Sequence, residues 1–145
     1  MRIALAADHA GFDLKTALVA WLKEQGHDPL DLGTHSTERV DYPDYGYRLA
    51  RALERGDAEC GIAICGSGIG IAIAANRVPA VRCAQVAEPV SAALARRHND
   101  ANAIALGARL IGEDMAKACV TAFLAAEFQG GRHTARVAKL SEVPA

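Results

Sequence analysis

Short apolar runs of strand length alternate with stretches of helical period along almost the whole chain, and this alternation constrains the fold more than any single motif. Arg2–Ala7 (RIALAA) is the first run. Phe12, Ala17, Leu18, Trp21 and Leu22 then recur at helical spacing up to Gly26, a residue suited to a helix C-terminus. Asp28–Leu32 (DPLDL) reads as a weak second strand and Gly33–Tyr42 as a polar loop. Pro43 suits the first turn of a helix that buries Leu49, Ala50 and Leu53 before Gly56. Cys60–Cys65 predicts the third strand, Ala80–Ala84 (AVRCA) the fourth and Ala101–Leu106 (ANAIAL) the fifth. Between the last two, Pro89 opens a helix carrying Val90, Ala93 and Leu94. After the fifth strand, Gly112–Leu124 predicts a helix with Met115, Cys119, Ala122 and Phe123 on one side. Gly130-Gly131 breaks the chain before a last short helix over Arg132–Lys139.

One segment is ambiguous by period alone. Ile69, Ile71 and Ile73 alternate with small residues, as in a strand. A strand already ends at Cys65, however, and a parallel partner starting three residues later leaves no room for a crossover. With alanine frequent as well, the segment is expected to be a helix. Strands alternating with helices imply βαβ units with right-handed crossovers. The expected fold is therefore α/β: a single-domain, three-layer α/β/α sandwich over residues 1–145, with a five-stranded parallel sheet that is Rossmann-like in the loose sense.

The 145 residues are 51% hydrophobic, enough for one domain core without disulfide or metal staples. A net charge of −1 offers no basic field for nucleic acid or an anionic membrane. No apolar stretch approaches the roughly 18 residues that span a bilayer. Met1 leads straight into a short apolar run, so no secretory signal is expected. Cys60, Cys65, Cys83 and Cys119 form no CxxC pair and have no His at metal-ligand spacing. These features predict a cytoplasmic protein with reduced thiols, no metal site and no cofactor.

In parallel α/β sheets ligands sit beyond the C-terminal ends of the strands. That rule collects Asp8-His9 after the first strand, Cys65-Gly66-Ser67-Gly68-Ile69-Gly70 (CGSGIG) after the third, and Gly107-Ala108-Arg109 after the fifth. His98-Asn99-Asp100 lies before the fifth strand and can share the site only if the end of its helix folds back. CGSGIG is not a dinucleotide fingerprint, since the third glycine position holds Ile71, and no Gly-Lys-Ser/Thr follows it. A phosphatase-type loop needs an Arg at that same position. What remains is a turn of exposed backbone N–H groups at a helix N-terminus, which binds anions and favours the thiolate form of a cysteine placed there. A cysteine at a strand end is ordinarily an inert buried thiol. Three glycines in the five residues that follow it argue for a functional one.

The blocks AADHAGF, CGSGIG, AANRVPAVR, RHNDANAIALGAR and GGRHTARVAKL resemble, in order and over nearly the whole chain, the ribose-5-phosphate isomerase B family, whose relatives include galactose-6-phosphate isomerase subunits. The resemblance implies a metal-free aldose–ketose isomerase that moves a proton between C1 and C2 of a sugar phosphate through a cis-enediolate. It assigns Cys65 as the base, the backbone of Gly66, Ser67, Gly68, Ile69 and Gly70 as the anion hole, and His98 as the acid that opens the furanose ring. Ser67 stands where the family usually carries Thr and keeps the hydroxyl. Asp8 and His9 match a sugar-binding pair. Asp8 either assists ring opening or caps the following helix, and both roles are compatible. Asn99 matches a contact to sugar hydroxyls, and Tyr42 a residue lining the pocket. Arg132 and Arg136, four apart on one helical face, match phosphate ligands, with Arg109 a further binding position and His133 near them.

In the family the tail arginines enter the neighbouring subunit's site. The segment from about residue 128 to residue 145 is therefore expected to reach a partner in a homodimer, or in a tetramer built from it. The block CAQVAEPVSAAL is less typical of the family, and LSEVPA carries no assigned function. The sugar is expected to be ribose 5-phosphate. Allose 6-phosphate, galactose 6-phosphate and erythrulose 4-phosphate are the alternatives, and a non-catalytic sugar-phosphate sensor is the alternative of a different class.

Overall fold

The computed structural model describes residues 1–145. Five strands, β1 (Arg2–Ala7), β2 (Asp28–Asp31), β3 (Cys60–Cys65), β4 (Cys83–Gln85) and β5 (Ala103–Gly107), form one sheet in the order β2-β1-β3-β5-β4. Every pairing is parallel, so each connection must cross back along the sheet. Helices supply the crossovers and the tail: α1 (Phe12–Glu24), α2 (Tyr42–Arg55), α3 (Ile69–Ala75), α4 (Pro89–Asn99), α5 (Glu113–Ala125) and α6 (Arg132–Leu140). A short 3₁₀ turn, His9–Gly11, joins β1 to α1. The α/β fold with a parallel five-stranded sheet is the one expected from the sequence, including the helix over Ile69–Ala75. No helix is long and apolar enough to cross a membrane.

Strand residues alternate between two faces, and here the two faces differ in size. Ile3, Leu5, Ile62, Ile64, Ile104 and Leu106 point one way and pack against Leu18 and Leu22 of α1 and Cys119, Val120 and Phe123 of α5. Ala4, Ala6, Ala63, Ala103 and Ala105 point the other way, with Cys65, and meet α2 and α3 through Leu49, Ala50 and Ile71. The small side chains on this second face let α2 and α3 lie close to the backbone. Cys65 therefore belongs to the tightly packed face, at the end of its strand.

Three expectations need correction. The fourth strand begins at Cys83, not Ala80, because side-chain amides take over the backbone there. The Asn76 amide brackets Cys83 (2.7 and 2.8 Å), and the Asn102 amide ties Arg82 N–H and Ala80 O (2.8 Å each). Val90 and Leu94 are exposed, and α4 buries Ala92, Ala93 and Ala95 instead. Met115 is likewise exposed, while α5 buries Ala116, Cys119, Val120 and Phe123. The buried face of α4 is made of alanines, which the apolar spacing alone does not reveal.

Candidate active site

The chain leaves β1 towards β2 at one edge of the sheet and then returns to β3 on the other side of β1. The C-terminal ends of β1 and β3 thus form the switch point at which such sheets open a crevice. A cavity of about 500 Å³ lies there. Asp8, Cys65, the Gly66–Gly70 turn, Tyr42, Arg109 and Leu110 form its walls.

Cys65 is buried, with 4% of its surface exposed, and its Sγ accepts the backbone N–H of Gly68 at 3.2 Å. Gly68 reaches this position with φ 77°, in the left-handed region. A Cβ there would lie 2.8 Å from the carbonyl carbon of Leu106, so both backbone angle and space require glycine. Ile69 N–H donates to Ser67 Oγ at 3.2 Å, which fixes the hydroxyl inside the turn. The first helical bond of α3 runs from Ala72 N–H to Gly68 O. The N–H groups of Gly66, Ser67 and Gly70 take no acceptor within the chain. Unpaired donors of this kind beside a thiol can stabilise an oxyanion formed next to the sulfur.

The other three thiols have no backbone N–H donor. Burial pushes Cys60 up to about 11 and Cys83 up to about 12, and it also raises Cys119. These stay protonated at neutral pH. Only the sulfur of Cys65 accepts a backbone N–H.

Asp8 caps the turn that follows it. Its Oδ1 accepts the N–H groups of Ala10 (3.0 Å) and Gly11 (3.2 Å), which leaves Oδ2 for a ligand in the crevice. His9 is held by the loop ahead of α2, with Val40 N–H donating to its Nδ1 at 3.2 Å. After β5, Ala108 N–H bonds Cys65 O (2.9 Å) and Arg109 N–H bonds Gly66 O (3.0 Å). This pairing lays the Arg109 guanidinium over Gly66, where any side chain would crowd it. The Tyr42 ring covers Gly70 in the same way.

Gln85, the last residue of β4, donates from Nε2 to Ser67 O at 3.3 Å. Sequence reasoning missed it, although its place at the C-terminal edge of the fourth strand was a usable signal. It also shows that the CAQVAEPVSAAL block touches the CGSGIG turn.

His98, Asn99, Arg132, His133 and Arg136 lie elsewhere. The helix end carrying His98 does not fold back towards the crevice. Asp100 terminates α4 with φ 46° and is held by Arg82 (3.3 Å) and Arg96 (2.9 Å), so the chain runs directly into β5. In the β3–β5 register, Ala103 pairs with Gly61 and Gly107 with Cys65. The two ends are four residue rises apart, about 13 Å. Asn99 lines a different cavity, of about 390 Å³, together with Asn76, Arg82 and Leu140. His98 instead stacks on His133 of α6, ring centroids 4.4 Å apart and planes 12° apart. Burial holds the His133 imidazole below its ordinary value, and His98, Arg132 and Arg136 add to that shift. One chain therefore displays two separate clusters, a thiol crevice at one end of the sheet and a histidine–arginine cluster towards the other.

Comparison with known proteins places this arrangement. A family model described as Ribose/Galactose Isomerase matches residues 3–140. The chain is 46% identical over 142 residues to ribose-5-phosphate isomerase B of Escherichia coli, covering 98% of this chain and 95% of that one. It is 43% identical over 141 residues to D-erythrulose-4-phosphate isomerase of Pectobacterium atrosepticum, covering 97% and 93%. The solved structure of Clostridium thermocellum ribose-5-phosphate isomerase B superposes with a TM-score of 0.97 at 48% identity, over 98% of this chain and 96% of that one. A parallel sheet with a thiol crevice at its switch point, in a chain this similar to those proteins, defines an aldose–ketose isomerase. The chain belongs to the ribose/galactose isomerase family.

Proposed function

We propose that the protein interconverts ribose 5-phosphate and ribulose 5-phosphate, with Cys65 as the base. The observation that carries this reading is the Gly68 N–H directed at Cys65 Sγ, in a turn where the N–H groups of Gly66, Ser67 and Gly70 have no acceptor within the chain. The thiolate removes the C2 proton of the open-chain aldose, and the electron pair moves into a C1–C2 enediolate. Charge collects on an oxygen that the N–H groups of Gly66, Ser67 and Gly70 can bind. The sulfur then returns the proton to C1, and the aldehyde oxygen becomes the C1 hydroxyl of the ketose. Backbone donors in such positions are each worth about 3–4 kcal/mol. Ser67 Oγ relays the hydroxyl proton. Asp8 Oδ2, His9 and Tyr42 bind the sugar, and Arg109 closes the crevice over Gly66.

The ring-opening acid and the phosphate ligands come from a second copy of the chain. None of His98, Asn99, Arg132 and Arg136 lines the Cys65 crevice of its own chain: α4 ends before the start of β5, and His98 stacks on His133 of α6 instead. A homodimer that sets the histidine–arginine cluster of one copy over the crevice of the other completes both sites. The apolar rim of the crevice supports this docking, since Ile69 and Ile73 on α3 and Leu110 are all more than half exposed. We read the 145 residues as one domain acting in the cytoplasm, with α6 as the segment that reaches the partner.

Steady-state kinetics on a panel of sugar phosphates tests the substrate. The highest kcat/KM is expected for ribose 5-phosphate. A higher value for erythrulose 4-phosphate, the reading favoured by the 43% identity to the Pectobacterium enzyme, would replace it.

A further inference from the structure

Helix α6 docks in an unusual way. Its one buried residue is His133, 7% exposed, where an amphipathic helix ordinarily buries leucine or valine. The partner of that imidazole is the His98 ring, nearly parallel to it at 4.4 Å. The backbone is built to hold this contact. Gln129 N–H bonds Arg97 O (3.0 Å), which fastens the approach to α6 onto the last turn of α4. Gly130 and Gly131 then turn the chain with φ 63° and 56°, and His133 N–H bonds Gly130 O at 3.0 Å.

Two stacked imidazoles cannot both carry a proton without repulsion, whereas a neutral ring face attracts a cationic one. The position inside the stack settles which ring stays neutral. His133 is the buried member, flanked on its own helix by Arg132 and Arg136 and faced from α4 by His98. His98 is the less buried member of the pair. We propose that His133 is a positioning residue for His98: a neutral aromatic platform that holds the His98 imidazolium where it can protonate the furanose ring oxygen. It is then not a phosphate ligand. The proposal rests on the ring-opening role given to His98 above and adds to it the residue that aims the acid.

The test uses the full-length protein with His133→Ala, His133→Phe and His98→Asn. His133→Ala should lower kcat on ribose 5-phosphate about tenfold or more with KM nearly unchanged, the scale of a misplaced catalytic group. It should spare the exchange of a C1 hydrogen of ribulose 5-phosphate with D2O, because the ketose is acyclic and needs only the thiol. His133→Phe keeps an aromatic face and should restore most of the turnover. A raised KM with unchanged kcat in His133→Ala would make His133 a phosphate ligand and overturn the proposal. So would failure of Phe to rescue while the His98→Asn variant shows the turnover–exchange split. If His98→Asn itself shows no split, the ring-opening reading fails instead. The stack is then judged by whether the ring-current shift of the His98 proton resonance disappears in His133→Ala and persists in His133→Phe. Loss in both variants, or in neither, would overturn the stack.

Discussion

The backbone N–H of Gly68 donates to Cys65 Sγ across 3.2 Å, three residues along the chain, and this bond joins the strand that presents the thiol to the turn that surrounds it. A thiolate at that position has a partner for its charge inside a buried site. Cys65→Ala should therefore reduce turnover by at least about 100-fold, the usual scale for a lost general base, while KM changes little. Activity close to wild type would remove Cys65 from the mechanism.

Iodoacetamide should alkylate Cys65 first. Burial pushes Cys60 to about 11 and Cys83 to about 12, so at neutral pH their thiolate fractions are negligible, and Cys119 is raised by the same cause. Mass spectrometry of briefly treated protein reads the order. Labelling led by Cys60 or Cys83 would show that burial does not hold those thiols protonated.

Gly68→Ala forces a side chain into the left-handed region, which costs about 1–2 kcal/mol before any clash. The added Cβ also meets the Leu106 backbone at 2.8 Å, so the turn must shift away from Cys65. Both a lower melting temperature and a loss of kcat are expected. A variant that keeps full kcat would show that the turn tolerates displacement.

Lys15 is a charged residue with 1% exposure, paired to both carboxylate oxygens of Asp31 at 2.7 and 2.8 Å. Asp31 also accepts Gly33 N–H (3.0 Å), and Gly33 O in turn accepts the N–H of Ala7, the residue before Asp8. Asp31→Asn should destabilise by about 2 kcal/mol or more by stranding the ammonium, with Asp31 partly solvated and so below the fully buried limit. Adding Lys15→Met should recover much of the loss. Urea denaturation of the single and double variants measures the recovery.

His133 sets a pH dependence of stability. Its folded-state value lies below the ordinary 6.5, so the unfolded chain binds the proton more readily. Stability is intact above that ordinary value and falls as pH drops through it towards the depressed folded value. Denaturation midpoints taken on either side of this window should differ less in His133→Phe than in the wild type. An equal pH dependence in both would assign the effect to other groups.

A site shared between two copies, as proposed, has a complementation signature. Cys65→Ala and His98→Asn, each inactive alone, should recover about a quarter of wild-type activity when unfolded together and refolded, because half of the random dimers carry one intact site. No recovery would place both residues in the service of one chain.

Much of this was legible in the chain itself. Alternating periods predicted the parallel α/β sheet because a strand and a helix bury side chains at different intervals, and that signal is local. β1 and β3 fall on the residues expected, and CGSGIG announced its turn because left-handed backbone at Gly68 leaves few alternatives to glycine. The start of β4 was misplaced because the amides of Asn76 and Asn102 reach it from 7 and 22 residues away, and no local pattern encodes such contacts. The exposed faces of α4 and α5 were misread for the same reason. Only the tertiary structure could separate His98 from Cys65, since the direction of α4 and the register of β5 decide which end of the sheet each residue occupies. Only it could set His98 against His133, two residues 35 positions apart that meet because Gly130 and Gly131 turn α6 back onto α4. Local chemistry is written in neighbouring residues. The partners that aim it are chosen by packing across the whole chain.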